Sequence, residues 1–173
     1  TYNVAVGFEA GNDVTTGVQN TLIGGLAGDA ITDANNNTAL GYAALSTNQR
    51  GAFNVAVGVG ALQTANPSGA ADTYNTAVGF DAGNAVTTGI QNTLVGGLAG
   101  DALLAAADNV AVGFEALSTE TGGQNNVAIG PRALKAQVNS SGNIYNTAVG
   151  ANAGTAVTTG IQNVLIGGLA GDA

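Results

Sequence analysis

The sequence predicts an all-β fold, a parallel β-solenoid of ten coils of about 17 residues. Three features predict it: a short repeat that fills the chain, a fixed glycine in every repeat, and a β-prone segment ahead of that glycine. The pattern N-[TV]-[AL]-[VIL]-G-x-x-A-[GL] begins at Asn3, Asn20, Asn37, Asn54, Asn75, Asn92, Asn109, Asn126, Asn146 and Asn163, at spacings of 17, 17, 17, 21, 17, 17, 17, 20 and 17. A helical repeat is disfavoured, because each interior glycine costs a helix roughly 1 kcal/mol against alanine. Val, Ile and Thr at the second and fourth positions branch at Cβ and suit a pleated strand, which the glycine then breaks. Seventeen residues have room for two or three such strands and their turns, and units this small bury a core only by stacking on their neighbours. At ~4.8 Å per stacked strand, ten coils give a rod roughly 48 Å long.

The two long spacings carry turn-rich inserts, NPSG at 66–69 and NSSG at 139–142. Four repeats and an insert make a larger unit, so the chain 1–173 reads as a single repeat segment with super-repeats 2–73, 74–144 and 145–173. It starts at a repeat boundary and stops in mid-pattern at Gly171-Asp172-Ala173, as expected of a piece of a longer fibre.

Equivalent residues of a solenoid stack in columns. The asparagines named above form the first, whose amides can hydrogen-bond up and down a ladder or can serve simply as turn formers. The fifth position is glycine throughout: Gly7, Gly24, Gly41, Gly58, Gly79, Gly96, Gly113, Gly130, Gly150 and Gly167. A tight corner there requires a positive φ or a close backbone approach. The preceding column, Val6 through Val78 to Ile166, is apolar throughout and is expected to point into the core, while Ala10 to Ala170 leave room for one methyl. Successive strand residues face opposite ways, so three apolar residues in a row cannot all face one interior. The column Ala5, Leu22, Ala39 is therefore expected outside, as the contact for side-by-side association of identical chains.

Composition removes most other functions. Net charge is −8 with only Arg50, Arg132 and Lys135 as cations, so there is no basic stripe for nucleic acid or for an anionic membrane surface. No apolar run approaches the ~18 residues of a membrane span, and the first residues lack the pattern of a signal peptide. Cysteine is absent, so there is no disulfide framework. Asn36-Asn37-Thr38 and Asn139-Ser140-Ser141 match the glycosylation sequon, which an Asn- and Thr-rich chain produces readily.

Catalysis finds little to work with. V-G-F-D-A-G at 78–83 fits the hexapeptide pattern of left-handed β-helical acyltransferases, but their histidine base has no counterpart, since the chain contains no His. Glu9, Asp81 and Glu115 share a column, and the nearest two stand two coils apart, at the edge of glycosidase spacing. GGLAGDA, at 24–30, 96–102 and 167–173, places Asp29, Asp101 and Asp172 four coils apart, so no calcium cage forms. The Gly-rich segments lack the lysine of a phosphate loop. Paired threonines at Thr15-Thr16, Thr87-Thr88 and Thr158-Thr159 leave gaps in the coils between, which counts against an ice-binding array. The expectation is a non-enzymatic chain without cofactor or metal.

NVAVGFEAG, NTALGYAAL and NVAIGPRAL resemble the repeats in head domains of trimeric autotransporter adhesins. NTAVGFDAGNAVTTGIQNTLVGGLAG is similar to Gly-Ala repeats of bacteriophage tail fibres and bacterial surface fibres. The resemblance covers all ten repeats, although 17 residues is longer than is common in adhesin heads and no stalk, neck or anchor is present. It implies a left-handed roll, three identical chains side by side, and an extracellular place on a bacterial surface or a virion. The expected function is a spacer and adhesive surface, with a self-assembling end-to-end filament as the alternative. A surface glycan or protein receptor would be met at the inserts Gln63–Tyr74 and Lys135–Tyr145, or at the ring column Phe8, Tyr42, Phe80 and Phe114, which interface packing would equally explain.

Overall fold

In a computed structural model describing residues 2–172, the strand-forming segment of every repeat becomes a three-residue strand. In chain order the strands are β1 (Val4–Val6), β2 (Thr21–Ile23), β3 (Thr38–Leu40), β4 (Gly51–Ala52), β5 (Val55–Val57), β6 (Ala71–Asp72) and β7 (Thr76–Val78). They continue as β8 (Thr93–Val95), β9 (Val110–Val112), β10 (Gly123–Gln124), β11 (Val127–Ile129), β12 (Gly142–Asn143), β13 (Thr147–Val149) and β14 (Val164–Ile166). No helix occurs among the described residues. One parallel sheet of ten strands runs β1-β2-β3-β5-β7-β8-β9-β11-β13-β14, one strand per coil. Each residue pairs with its equivalent in the next repeat, as Ala77 does with Leu94 and Val78 with Val95. The chain is thus a parallel β-solenoid of ten coils.

Six coils have the three-residue strand alone, fewer than the expected two or three, and the four coils at the inserts add a second, two-residue strand. Left-handed backbone interrupts the remainder of the coil, at Glu9, Leu26, Asp81 and Glu115 in the seventh position and at Gln19, Gln91 and Gln162 in the last. These turns still stack. Leu26 N–H donates to Phe8 O and Gln91 N–H to Thr73 O in the preceding coil, both at 2.8 Å, while the ninth-position glycines donate to the following one, Gly11 to Ala27 O at 3.0 Å and Gly28 to Ala44 O at 2.9 Å. The inserts rejoin the stack through two short parallel pairs, β4 with β6 and β10 with β12.

The two faces of the strand are the reverse of the sequence expectation. Ala39, Ala56, Ala77, Leu94, Ala111 and Ala128, at the third position, are completely buried and form the core. The fourth-position column that was expected inside points out, leaving Leu40 46% exposed and Ile129 39% exposed. The reason is parity: the first-position asparagine is buried, and the third residue shares its side of the strand while the second and fourth do not.

Core volume is conserved by exchange between positions. Where the third position is Leu22 or Leu94, the ninth is Gly28 or Gly100. A Cβ on Gly28 would lie 2.7 Å from Leu22 Cδ2 and 2.8 Å from Ile31 Cδ1. Where the third position is Ala39, Ala56, Ala111 or Ala128, the ninth is Leu45, Leu62, Leu117 or Leu134, each fully buried. The buried leucine thus comes from the third position in some coils and from the ninth in others. Where both are small, as Ala77 and Gly83 are, leucines of the neighbouring coils cover the glycine: a Cβ on Gly83 would lie 2.7 Å from Leu94 Cδ1 and 3.0 Å from Leu62 Cδ2. This sharing of space between coils gives the four-coil period a packing cause.

The corner glycines are held at positive φ and in close contact. Gly96 has φ 137°, and a Cβ there would stand 2.5 Å from Gly113 O. We expect Gly96→Ala to destabilise the chain by about 2–4 kcal/mol. Gly69→Ala, at a site with no atom within 4 Å of an added Cβ, should leave the denaturant midpoint unchanged. Equal midpoints for the two variants would contradict this account of the corner.

Candidate functional site

The asparagine column lies inside the solenoid, one residue before the strand. Asn20, Asn37, Asn54, Asn75, Asn92, Asn109, Asn126 and Asn146 are at most 1% exposed. Asn92 shows the unit: its backbone N–H and Nδ2 donate to Asn75 Oδ1 at 3.0 and 3.1 Å, and Nδ2 also donates to Ala106 O at 2.8 Å. Its own Oδ1 accepts from Asn109 N–H at 3.2 Å and from Nδ2 at 3.1 Å. The pattern starts with Asn3, whose Nδ2 donates to Gly17 O and whose Oδ1 accepts from Asn20. It runs to Asn163, which donates to Asn146 Oδ1 at 2.9 and 3.0 Å. The glycine column forms the corner after the strand, with φ between 121° at Gly167 and 141° at Gly41 and Gly79.

At the inserts the ladder is completed by residues the sequence did not single out. Thr73, 3% exposed, donates its hydroxyl to Asn54 Oδ1 at 2.8 Å, where the next asparagine amide would otherwise stand. In the second insert Gln137 Oε1 accepts from Asn146 Nδ2 at 2.8 Å, and Gln137 Nε2 donates to Glu120 Oε2 at 2.7 Å. Glu120 is fully buried, and its Oε1 accepts from the N–H groups of Thr121, Gly122, Gly123 and Asn139 at 2.8 to 3.1 Å. A legible signal existed: Asn48, Glu120 and Gln137 occupy the twelfth position, where other coils carry Val14, Ile31, Ala65, Val86, Leu103 or Val157.

The outside of the strand is an apolar lane. Its second position is always Val or Thr and its fourth always Val, Ile or Leu, without a charged residue between Val4 and Ile166 in either column. All eight aromatic residues of the chain are exposed, from Phe53 at 39% to Tyr2 at 88%. They occupy two columns flanking the lane: Tyr2, Phe53, Tyr74 and Tyr145 before the asparagine, and Phe8, Tyr42, Phe80 and Phe114 after the corner glycine. Phe53 and Tyr74 stack with centroids 5.0 Å apart and planes 15° apart. Partial desolvation raises the Tyr74 phenol, and the Asp72 carboxylate, which accepts a hydrogen bond from it at 3.3 Å, adds to the effect.

Acidic groups sit in separate surroundings. Asp29 Oδ1 and Asp101 Oδ1 are buried without a hydrogen-bond partner, and desolvation raises both carboxyls above the usual range. Hydrogen bonds from Lys135 Nζ at 2.7 Å and Arg132 Nε at 3.0 Å hold Glu115 below it. Among the described residues there is no grouping of acids able to hold a metal ion and no enclosed cavity.

Two outcomes are expected. Asn92→Ala strands Asn109 N–H and Ala106 O in the core and should cost about 2–4 kcal/mol in denaturant unfolding, whereas the exposed Asn12→Ala should cost less than about 1 kcal/mol. Asp101 binds its proton more tightly folded than unfolded, so its contribution to stability is greatest below the unfolded value of about 3.9 and falls as pH rises through the raised folded value. Asp101→Asn should therefore raise the melting midpoint at pH 7, and the gain should shrink toward pH 3.5 in a melting series. Comparison with protein-family models, with curated proteins and with solved structures finds no match to this chain.

Proposed function

We propose that the chain is a structural, non-enzymatic segment of an extracellular fibre, a stiff spacer whose copies associate side by side and present an adhesive outer surface. The observation that carries this is the charge-free lane on the outside of a ten-strand stack. Such a strip on a rod is a surface awaiting cover. From the second position to the corner glycine the lane is four residues wide and ten strands long, roughly 14 by 48 Å, on the order of 650 Å² per chain. Stable protein interfaces bury about that much on each partner. The contact is the column Val6, Ile23, Leu40, Val57, Val78 and Val95 with its Val/Thr neighbours, in place of the buried Ala/Leu column. Three-chain assembly, left-handed winding and a place on a bacterial surface or virion follow from the resemblance to adhesin heads and tail fibres.

Sedimentation equilibrium at micromolar concentration tests the assembly. The expected species is a trimer, and a Val78→Lys, Val95→Lys pair should yield monomers that keep a β-type circular dichroism spectrum, because both side chains lie outside the core. A monomeric parent chain would overturn lateral association. Indefinite filaments in electron micrographs would favour end-to-end assembly instead.

A further inference from the structure

The corner column after the glycine has an order that neither the core nor the lane requires. Phe8, Tyr42, Phe80 and Phe114 stand in alternate coils, and Gly25, Val59 and Gly97 stand between them. The column is a continuous stack: Leu26, Ala43, Gly60, Asp81, Leu98, Glu115 and Arg132 each donate their N–H to the sixth-position carbonyl of the preceding coil at 2.8 to 3.0 Å. Neighbouring rings are therefore two stacked strands apart, about 9.6 Å. All four are exposed, at 75%, 56%, 58% and 48% in chain order. Tyr42 lies against Gly25 and Phe114 against Gly97, where an added Cβ would meet the ring edge at 3.4 and 3.5 Å. The glycine lets the ring rest on the backbone with its other side free.

A hydrogen-bonding oxygen accompanies every ring. Phe8, Phe80 and Phe114 are followed by Glu9, Asp81 and Glu115, and the fourth ring, followed by Ala43, carries the Tyr42 hydroxyl. Two of these carboxylates are braced, Asp81 by Asn84 Nδ2 at 3.1 Å and Glu115 by Lys135 and Arg132. Apolar ring and polar oxygen thus recur together at the first, third, fifth and seventh coils. That is the chemistry a sugar polymer needs, ring against the C–H face and oxygen against the hydroxyls.

We propose that this row binds an extended, neutral β-1,4-linked polysaccharide lying along the rod axis. In such a chain alternate sugars turn the same face outward, so the repeat that meets the rings is a disaccharide, a length close to the ring spacing. The absence of an enclosed cavity among the described residues fits a polymer that lies on the surface. Three carboxylates on a chain of net charge −8 disfavour anionic glycans. The row names the adhesive partner of the fibre segment and rests on that function only for its place outside the cell.

Depletion from solution by insoluble cellulose and by chitin powder tests the row, with α-linked starch granules as the control. Both β-linked powders, or one if the acetamido group matters, should retain the chain, and starch should not. A Phe80→Ala, Phe114→Ala pair should bind at least about tenfold more weakly, as should the Leu versions, which keep apolar bulk without a ring face. Tyr145→Ala, in the other ring column, should bind as the parent does. No retention on either β-linked powder, or equal retention by the ring variants, would overturn the proposal. Sedimentation of the same variants separates the two functions: lost retention with intact assembly assigns the row, and retention by a monomeric chain removes lateral association while leaving the row in place.

Discussion

An asparagine side chain carries two amide protons and a carbonyl with two lone pairs, and in a coil this thin none of them reaches water once the next coil is in place. Each rung must therefore be satisfied by the rungs above and below and by the turn carbonyl beside it, as Asn92 is by Asn75, Asn109 and Ala106. The cost of leaving such groups unpaired in the interior fixes the register of every coil on the last. A slip by one residue would place the asparagine outside and the second-position Val or Thr inside. The inserts respect the same constraint, since Thr73 and Gln137 enter the ladder where the extra residues interrupt its spacing.

Much of this was legible in the sequence, and its limits have a physical cause. Spacing alone gives the ten coils, the columns and the positions of the inserts, because stacking forces equivalent residues into equivalent surroundings. The phase of the strand was not legible from apolarity, since Val4-Ala5-Val6 and Val164-Leu165-Ile166 are apolar at every position. Two subtler signals hold the answer: the parity shared with a buried asparagine, and the exchange of Leu22 with Gly28 against Ala39 with Leu45. Volume compensation of that kind occurs only between residues that meet in one core. The apolar twelfth column marks Glu120 as inward-facing, but its stabilisation by four backbone N–H groups was not legible, because that depends on the path of the second insert.

The narrowness of the core also shapes the surface. The apolar part of the core is built from Ala, Val, Leu and Ile alone, and all eight aromatic rings are displayed outside. Phenylalanine is ordinarily among the most buried residues, and its complete exclusion leaves two lines of rings along the rod. Between them runs the apolar lane. A repeat that stacks thus produces regularly spaced features on its exterior, and any attachment made through them would be multivalent, because each recurs at a fixed axial step.

Exchange of the asparagine side-chain amides with deuterium, followed by nuclear magnetic resonance, tests the ladder most directly. The Nδ2 protons of Asn75, Asn92, Asn109 and Asn126 should exchange orders of magnitude more slowly than those of the exposed Asn12 and Asn36, with protection close to that of the strand amides. Exchange of the column amides at the rate of Asn36 would contradict a buried, coil-to-coil ladder.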